Sequence, residues 1–141
     1  MLRRKAREYA LKILYMMDIK KERNSSILET FWENIEEKEE VKKFANEIVT
    51  GVIENLENID KVISTVSLNW DIERMGYIDR NILRIGTYEI LYRDDIPPVV
   101  SINEGIELSK IYGDEDSPKF VNGILHKVKE IHEKKGGKNE S

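Results

Sequence analysis

The sequence predicts an all-α protein of about seven helices, and three observations carry that prediction. Apolar residues recur at three- and four-residue intervals along most of the chain, while strand-like alternation is hardly visible. The breaks between these stretches are short and carry helix punctuation, as at Pro97-Pro98 and Ser117-Pro118. With 141 residues, 40% of them hydrophobic, the chain has the length of one domain and enough apolar material for a core.

Each element follows from its own pattern. Ala6, Ala10, Ile13, Leu14 and Met17 share one face of a first helix ending near Asp18. Ser26 and Glu29 have capping-box spacing ahead of a second helix with Ile27, Leu28, Phe31, Trp32 and Ile35. Val41, Phe44, Ala45, Ile48 and Val52 mark a third, and Ile59, Val62, Ile63 and Val66 a fourth. From Tyr77 to Tyr92 the chain is apolar around most of its circumference, which predicts a central helix touched on several sides. Ser101 and Glu104 offer a second capping box for a helix running to Gly113. The last helix takes Ser117 as N-cap and Pro118 as its first residue, with Val121, Ile124, Leu125, Val128 and Ile131 as its buried stripe. A single domain over 1–134 is expected, followed by a polar, frayed tail over 135–141.

Composition narrows the function. There is no cysteine, hence no disulfide framework and no thiolate metal site. The basic N-terminus lacks the apolar stretch of a secretory signal, and no apolar run approaches the ~20 residues of a membrane span, so a cytoplasmic protein is expected. The net charge of −4 conceals an asymmetry. Residues 1–23 hold eight Lys and Arg against three carboxylates, whereas residues 24–60 hold three lysines against ten. A basic arm on an acidic body binds anions locally and repels them elsewhere.

Two constellations carry chemistry. Arg3, Arg4, Lys5 and Arg7 crowd the first turns of a helix, where each positive charge opposes the helix dipole by about 0.3–1 kcal/mol, so a compensating anion is expected. A helical wheel puts Arg4, Leu11 and Tyr15 on one stripe with Arg7 at its edge, a ledge on which charge holds phosphates and a ring stacks a base. The second is Asp114-Glu115-Asp116-Ser117-Pro118-Lys119-Phe120, with Phe120 at the margin of the apolar stripe beside the face of Lys119, Gly123 and Lys127. Gly123, inside a helix, points to close approach by another helix or a ligand. The three carboxylates lack calcium-loop spacing, and His126 and His132 do not share a face as metal ligands. No phosphate-binding glycine loop, nucleophile elbow or supported acid–base pair is present, so neither catalysis nor a cofactor is expected.

Several blocks, in order, resemble the NusB family of transcription antitermination factors. They are Arg3-Arg4-Lys5-Ala6-Arg7-Glu8 continuing to Leu14-Tyr15, Ile78-Asp79-Arg80-Asn81-Ile82-Leu83-Arg84 with Tyr88-Glu89, Asp95-Ile96-Pro97 through Ser101-Ile102-Asn103-Glu104 to Leu108, and Ser117 to Leu125. The resemblance implies two three-helix bundles packed across one another. It implies a heterodimer with NusE, a small-subunit ribosomal protein, that binds boxA single-stranded RNA in nascent transcripts. That pair helps the transcription elongation complex resist termination, notably on ribosomal RNA operons. Position by position, it implies an RNA face of Arg3, Arg4, Arg7 and Tyr15, a second RNA-facing segment of Asp116, Lys119 and Phe120, and NusE docking at Asp79 and Arg80. Gly105 departs from the small alanine usual after Asn-Glu in this motif. Related domains begin some ribosomal-RNA cytosine methyltransferases, but this chain is too short for their cofactor domain and a free-standing enzyme is not expected. The other reading that the residues allow is a helical protein–protein adaptor or homodimer with incidental RNA affinity.

Overall fold

The computed structural model describes residues 2–68 and 70–136, and within them the chain is all helical. Seven α-helices follow one another: α1 Leu2–Lys20, α2 Ser25–Trp32, α3 Glu39–Glu54, α4 Leu56–Val66, α5 Tyr77–Tyr92, α6 Pro98–Tyr112 and α7 Ser117–Lys134. A single 3-10 turn, Ile72–Arg74, leads into α5. The tail expected from residue 135 falls mostly outside the described residues.

The apolar stripes read from the sequence are the buried ones: Ala6, Ala10, Ile13, Leu14 and Met17 of α1 meet Val41, Ala45, Ile48 and Val52 of α3 in one continuous core. α1 packs on α2 and α3, α7 packs on α6, and α5 runs between the two groups, touching α1, α3, α4, α6 and α7. That central position explains why ten consecutive α5 residues, Asn81 to Ile90, are buried.

Both expected capping boxes are corrected. Asn24 precedes α2 without capping it, and Ser26 lies within the helix, where its hydroxyl donates to the Asn24 side chain. α6 starts at Pro98, one turn before Ser101, because proline's fixed φ and missing N–H suit a first helical position. Ser101 is buried and donates to Glu89 Oε1 at 2.8 Å, while Glu104 is held by Arg4. Ser117 opens α7 as its first residue, and the capping oxygen is Asp114 Oδ1, which accepts from the N–H groups of Asp116 and Ser117 at 2.9 and 3.2 Å.

Gly105 brings α6 close to α7: an added Cβ would lie 3.0 Å from Leu125 Cδ1 and 3.4 Å from Val121 Cγ1. The departure from alanine therefore eases a tight helix contact.

Two buried polar clusters fasten α5. The Arg84 guanidinium grips Asp60 of α4 through two bonds of 2.9 Å and reaches Asp18 of α1 at 3.0 Å, and Asn81 donates to the same Asp18 carboxylate at 2.8 Å. Nearer the other end, Arg7 of α1 donates twice to Glu89, at 2.7 and 2.8 Å, with both side chains almost wholly buried. Breaking such a pair leaves an uncompensated buried charge, at a cost of about 3–5 kcal/mol.

Candidate nucleic-acid interface

The basic arm begins where α1 begins, and its charges are already met. Arg3 pairs with Asp95 at 3.2 Å and lies 4.4 Å over the Phe44 ring. Arg4 makes a two-pronged contact with Glu104, at 3.0 and 2.8 Å, which holds its pKa above the ordinary arginine value and Glu104 below the ordinary glutamate one. Lys5 reaches Glu37 at 2.7 Å, and that carboxylate, hydrogen-bonded to Lys5, the Lys38 N–H and Tyr9, is lowered to about 2. The anion that the helix dipole calls for thus comes largely from the protein itself.

Arg7 is the clearest correction of placement. The wheel sets it at the edge of an exposed ledge, but it is only 4% exposed and committed to Glu89. Leu11 is buried as well, which leaves Arg4 and Tyr15 as the accessible part of that stripe, with Arg3 exposed beside it. Tyr15 is 38% exposed, its ring edge-on to Tyr77 at 5.9 Å.

The second constellation is built differently. Asp114 ties down the start of α7, so Lys119 and Phe120 emerge from a fixed first turn. Phe120 is partly buried, with its ring edge-on to Trp70 at 6.0 Å, and Trp70 is 54% exposed. The rings wall a cleft of about 250 Å³ whose other side carries Arg74, Asp79, Asp116 and Ser117. Lys119 is exposed and, among the described residues, has no carboxylate within ion-pair distance. Gly123, His126 and Lys127 continue the exposed face. Gly123 does not serve helix packing inside the molecule, because an added Cβ would meet nothing within 4 Å.

Asp79 and Arg80 part company. Asp79 lines the Phe120 cleft and also a neighbouring one bounded by Tyr15, Tyr77 and Tyr112. Burial raises its pKa, the Ser117 hydroxyl opposes that shift, and Asp114 adds to it. Arg80 points elsewhere: it donates to the carbonyl oxygens of Glu73 and Met75 at 2.9 and 3.0 Å, fixing the 3-10 turn, and covers the Tyr77 ring at 4.8 Å. The two do not form the surface ion pair that their adjacency allows.

The structure therefore brings Tyr15, Asp79, Asp116 and Phe120 to two neighbouring clefts at the joint between α5 and α7, with Lys119 exposed next to Phe120 in the chain, sets Arg3 and Arg4 at the start of α1, and buries Arg7. Trp70 was missed, because it sits outside any periodic stripe. The one signal for it is a tryptophan in the short connection from Ser67 to Arg74, outside the helical stripes.

Fold and surface describe a helical module whose rings and exposed Lys119 suit a nucleic-acid strand. The chain belongs to the NusB family: that family's profile matches residues 4–130. The transcription antitermination protein NusB of Thermodesulfovibrio yellowstonii is 45% identical over 138 residues, covering 91% of each chain. That of Clostridium novyi is 48% identical over 127 residues, covering 89% of this chain and 96% of its own. Among solved structures, Thermotoga maritima NusB superimposes with a TM-score of 0.82 at 36% identity, covering 91% of this chain and 90% of its own. A NusB chain from a complex of antitermination factors NusB and NusE with double-stranded RNA gives 0.82 at 30% identity, covering 92% and 97%.

Proposed function

We propose that this protein is a transcription antitermination factor that, together with NusE, binds boxA-type RNA in nascent transcripts and promotes antitermination, notably of ribosomal RNA operons. Membership of the NusB family sets this reading, and one observation of the surface carries it to a site. Lys119, exposed and without a carboxylate within ion-pair distance among the described residues, directly precedes Phe120, whose ring meets Trp70 at the joint that Tyr15 and Asp79 also line. Exposed rings stack only on bases free of a duplex, so the preferred RNA is single-stranded. Lys119 holds phosphate, Phe120 and Tyr15 stack, and Asp116 accepts from a base edge. Arg3 and Arg4 contribute by exchanging Asp95 and Glu104 for phosphate, and Arg7 acts only by positioning α1. NusE docks beside the start of α5, where Arg80 braces the turn that presents Asp79.

The reading assigns no catalytic step and needs no cofactor. Among the described residues no helix is long and apolar enough to cross a membrane. The protein works where transcripts are made, in the bacterial cytoplasm.

The test is titration of boxA-type RNA, alone and with NusE from the same organism, followed by fluorescence anisotropy. Binding that tightens when NusE is added is expected. Absence of RNA binding in both conditions would remove the proposal.

A further inference from the structure

Three glycines within α5, α6 and α7 invite comparison. A Cβ added at Gly86 or Gly105 would meet Leu125 at 2.7 or 3.0 Å, so internal packing accounts for both. At Gly123 it would meet nothing within 4 Å. Yet Gly123 lies in the middle of α7, Ser117–Lys134, where glycine weakens a helix relative to alanine. Nothing inside the molecule accounts for that weakness. A contact from outside does, if the approaching group needs the space a side chain would fill.

The neighbours on that face identify the visitor. Lys119 and Lys127 lie one turn to either side of Gly123, about 12 Å apart along the axis. Both are exposed, and neither has a carboxylate within ion-pair distance among the described residues. Asn122 and His126 flank the glycine, also exposed. Asp116 and Glu130 bound the face at its two ends, so its middle carries only positive or neutral polar groups. A partner helix seated on a glycine packs with exposed apolar neighbours, whereas Lys119, Asn122, His126 and Lys127 surround Gly123, and Phe120 at its edge is partly buried. An anionic backbone fits instead. At the Lys119 end the face meets Phe120 and Trp70.

We propose that the RNA strand reaching Phe120 continues along the outer face of α7, its sugar–phosphate backbone lying on Gly123 between Lys119 and Lys127. This rests on the RNA-binding reading above and extends its site by two turns of helix. The glycine admits the backbone to the helix surface, and Lys127 takes a phosphate beyond the stacking cleft.

The experiment uses the full-length protein, boxA-type RNA extended on both sides, and three variants: Gly123→Met, Lys127→Ala and, as a control, Lys61→Ala on the exposed side of α4. Gly123→Met should melt higher than the parent, as a better helix former in open space, yet bind RNA on the order of tenfold more weakly. Lys127→Ala should lower the log–log salt slope by about 0.7, the share of one phosphate contact on a single strand. Lys61→Ala should change neither. If the parent binds RNA and both α7 variants keep its affinity and salt slope, the track along α7 is overturned and the RNA-binding reading stands. If those variants lose NusE binding but not RNA binding, the face belongs to a protein contact and the inference is likewise overturned. A parent protein that binds no RNA with or without NusE overturns both.

Discussion

The first turns of α1 and of α7 make an instructive pair. α1 opens with four basic residues, the densest positive charge in the sequence, while α7 offers Lys119 and, two turns later, Lys127. By charge count α1 is the anion site. In the folded protein Arg3, Arg4, Lys5 and Arg7 each face a carboxylate, from Asp95, Glu104, Glu37 and Glu89, whereas Lys119 and Lys127 of α7 have none within ion-pair distance among the described residues. A phosphate arriving at α1 must displace a partner that already satisfies the arginine, so most of the gain cancels. At Lys119 nothing is displaced except water. Charge shows where an anion is attracted, and pairing decides how much of that attraction is left to give.

The largest effect separates structure from binding. Arg7→Met removes the guanidinium that pairs with buried Glu89 and should cost about 3–5 kcal/mol of stability by urea denaturation. RNA affinity per folded molecule should be unchanged; a stable variant with weakened RNA binding would put Arg7 back on the interface. Next, Phe120→Ala should lose about 1–3 kcal/mol of RNA binding, one stacking platform, with a smaller stability loss because the ring is only partly buried. A collapse in melting temperature with unchanged affinity would make Phe120 simply core.

The comparison sharpens at single charges. Lys119→Ala should lower the log–log salt slope by about 0.7, and Arg4→Ala by distinctly less, since Arg4 is held by Glu104. Replacing that partner, Glu104→Gln, should free Arg4 and steepen the slope; an unaltered slope would show that the pair does not restrain it.

The smallest effect concerns acid. The Glu37 carboxyl is lowered from the ordinary glutamate value to about 2 by Lys5 and its other donors. Its contribution is therefore fully present above about pH 4.5, where the unfolded group is ionised, and is lost as pH falls toward 2. Melting temperatures of the parent and Glu37→Gln should differ most at pH 6, and the gap should narrow steadily below about pH 4.5 and close toward pH 2. A constant gap would mean that Glu37 stabilises by packing alone.

Periodicity disclosed most of the fold, since seven amphipathic stripes have few ways to bury themselves, and Tyr77–Tyr92 was legible as the central helix. What it did not disclose was pairing across the fold. Arg7 and Glu89 are 82 positions apart and Arg4 and Glu104 are 100 apart, so no local pattern marks them as partners. The capping box at Ser101 failed for the same reason: Ser101 and Glu104 have the spacing, but their side chains are claimed by Glu89 and Arg4. Lys119 and Phe120 were legible because their environment is mostly local, set by the first turn of α7. Trp70 was not, since its partner Phe120 lies 50 residues away.

The central claim is that available charge and aromatic surface, more than charge density, place the RNA. One measurement tests it directly: RNA titration at two salt concentrations for the double variants Arg3→Ala/Arg4→Ala and Lys119→Ala/Phe120→Ala, each with NusE present. The account predicts that the α7 pair loses the larger share of affinity and of salt dependence, while the α1 pair loses less of both. If the α1 pair abolishes binding and the α7 pair leaves it intact, the account is contradicted, and the ion pairs seen along α1 do not limit what its arginines can hold.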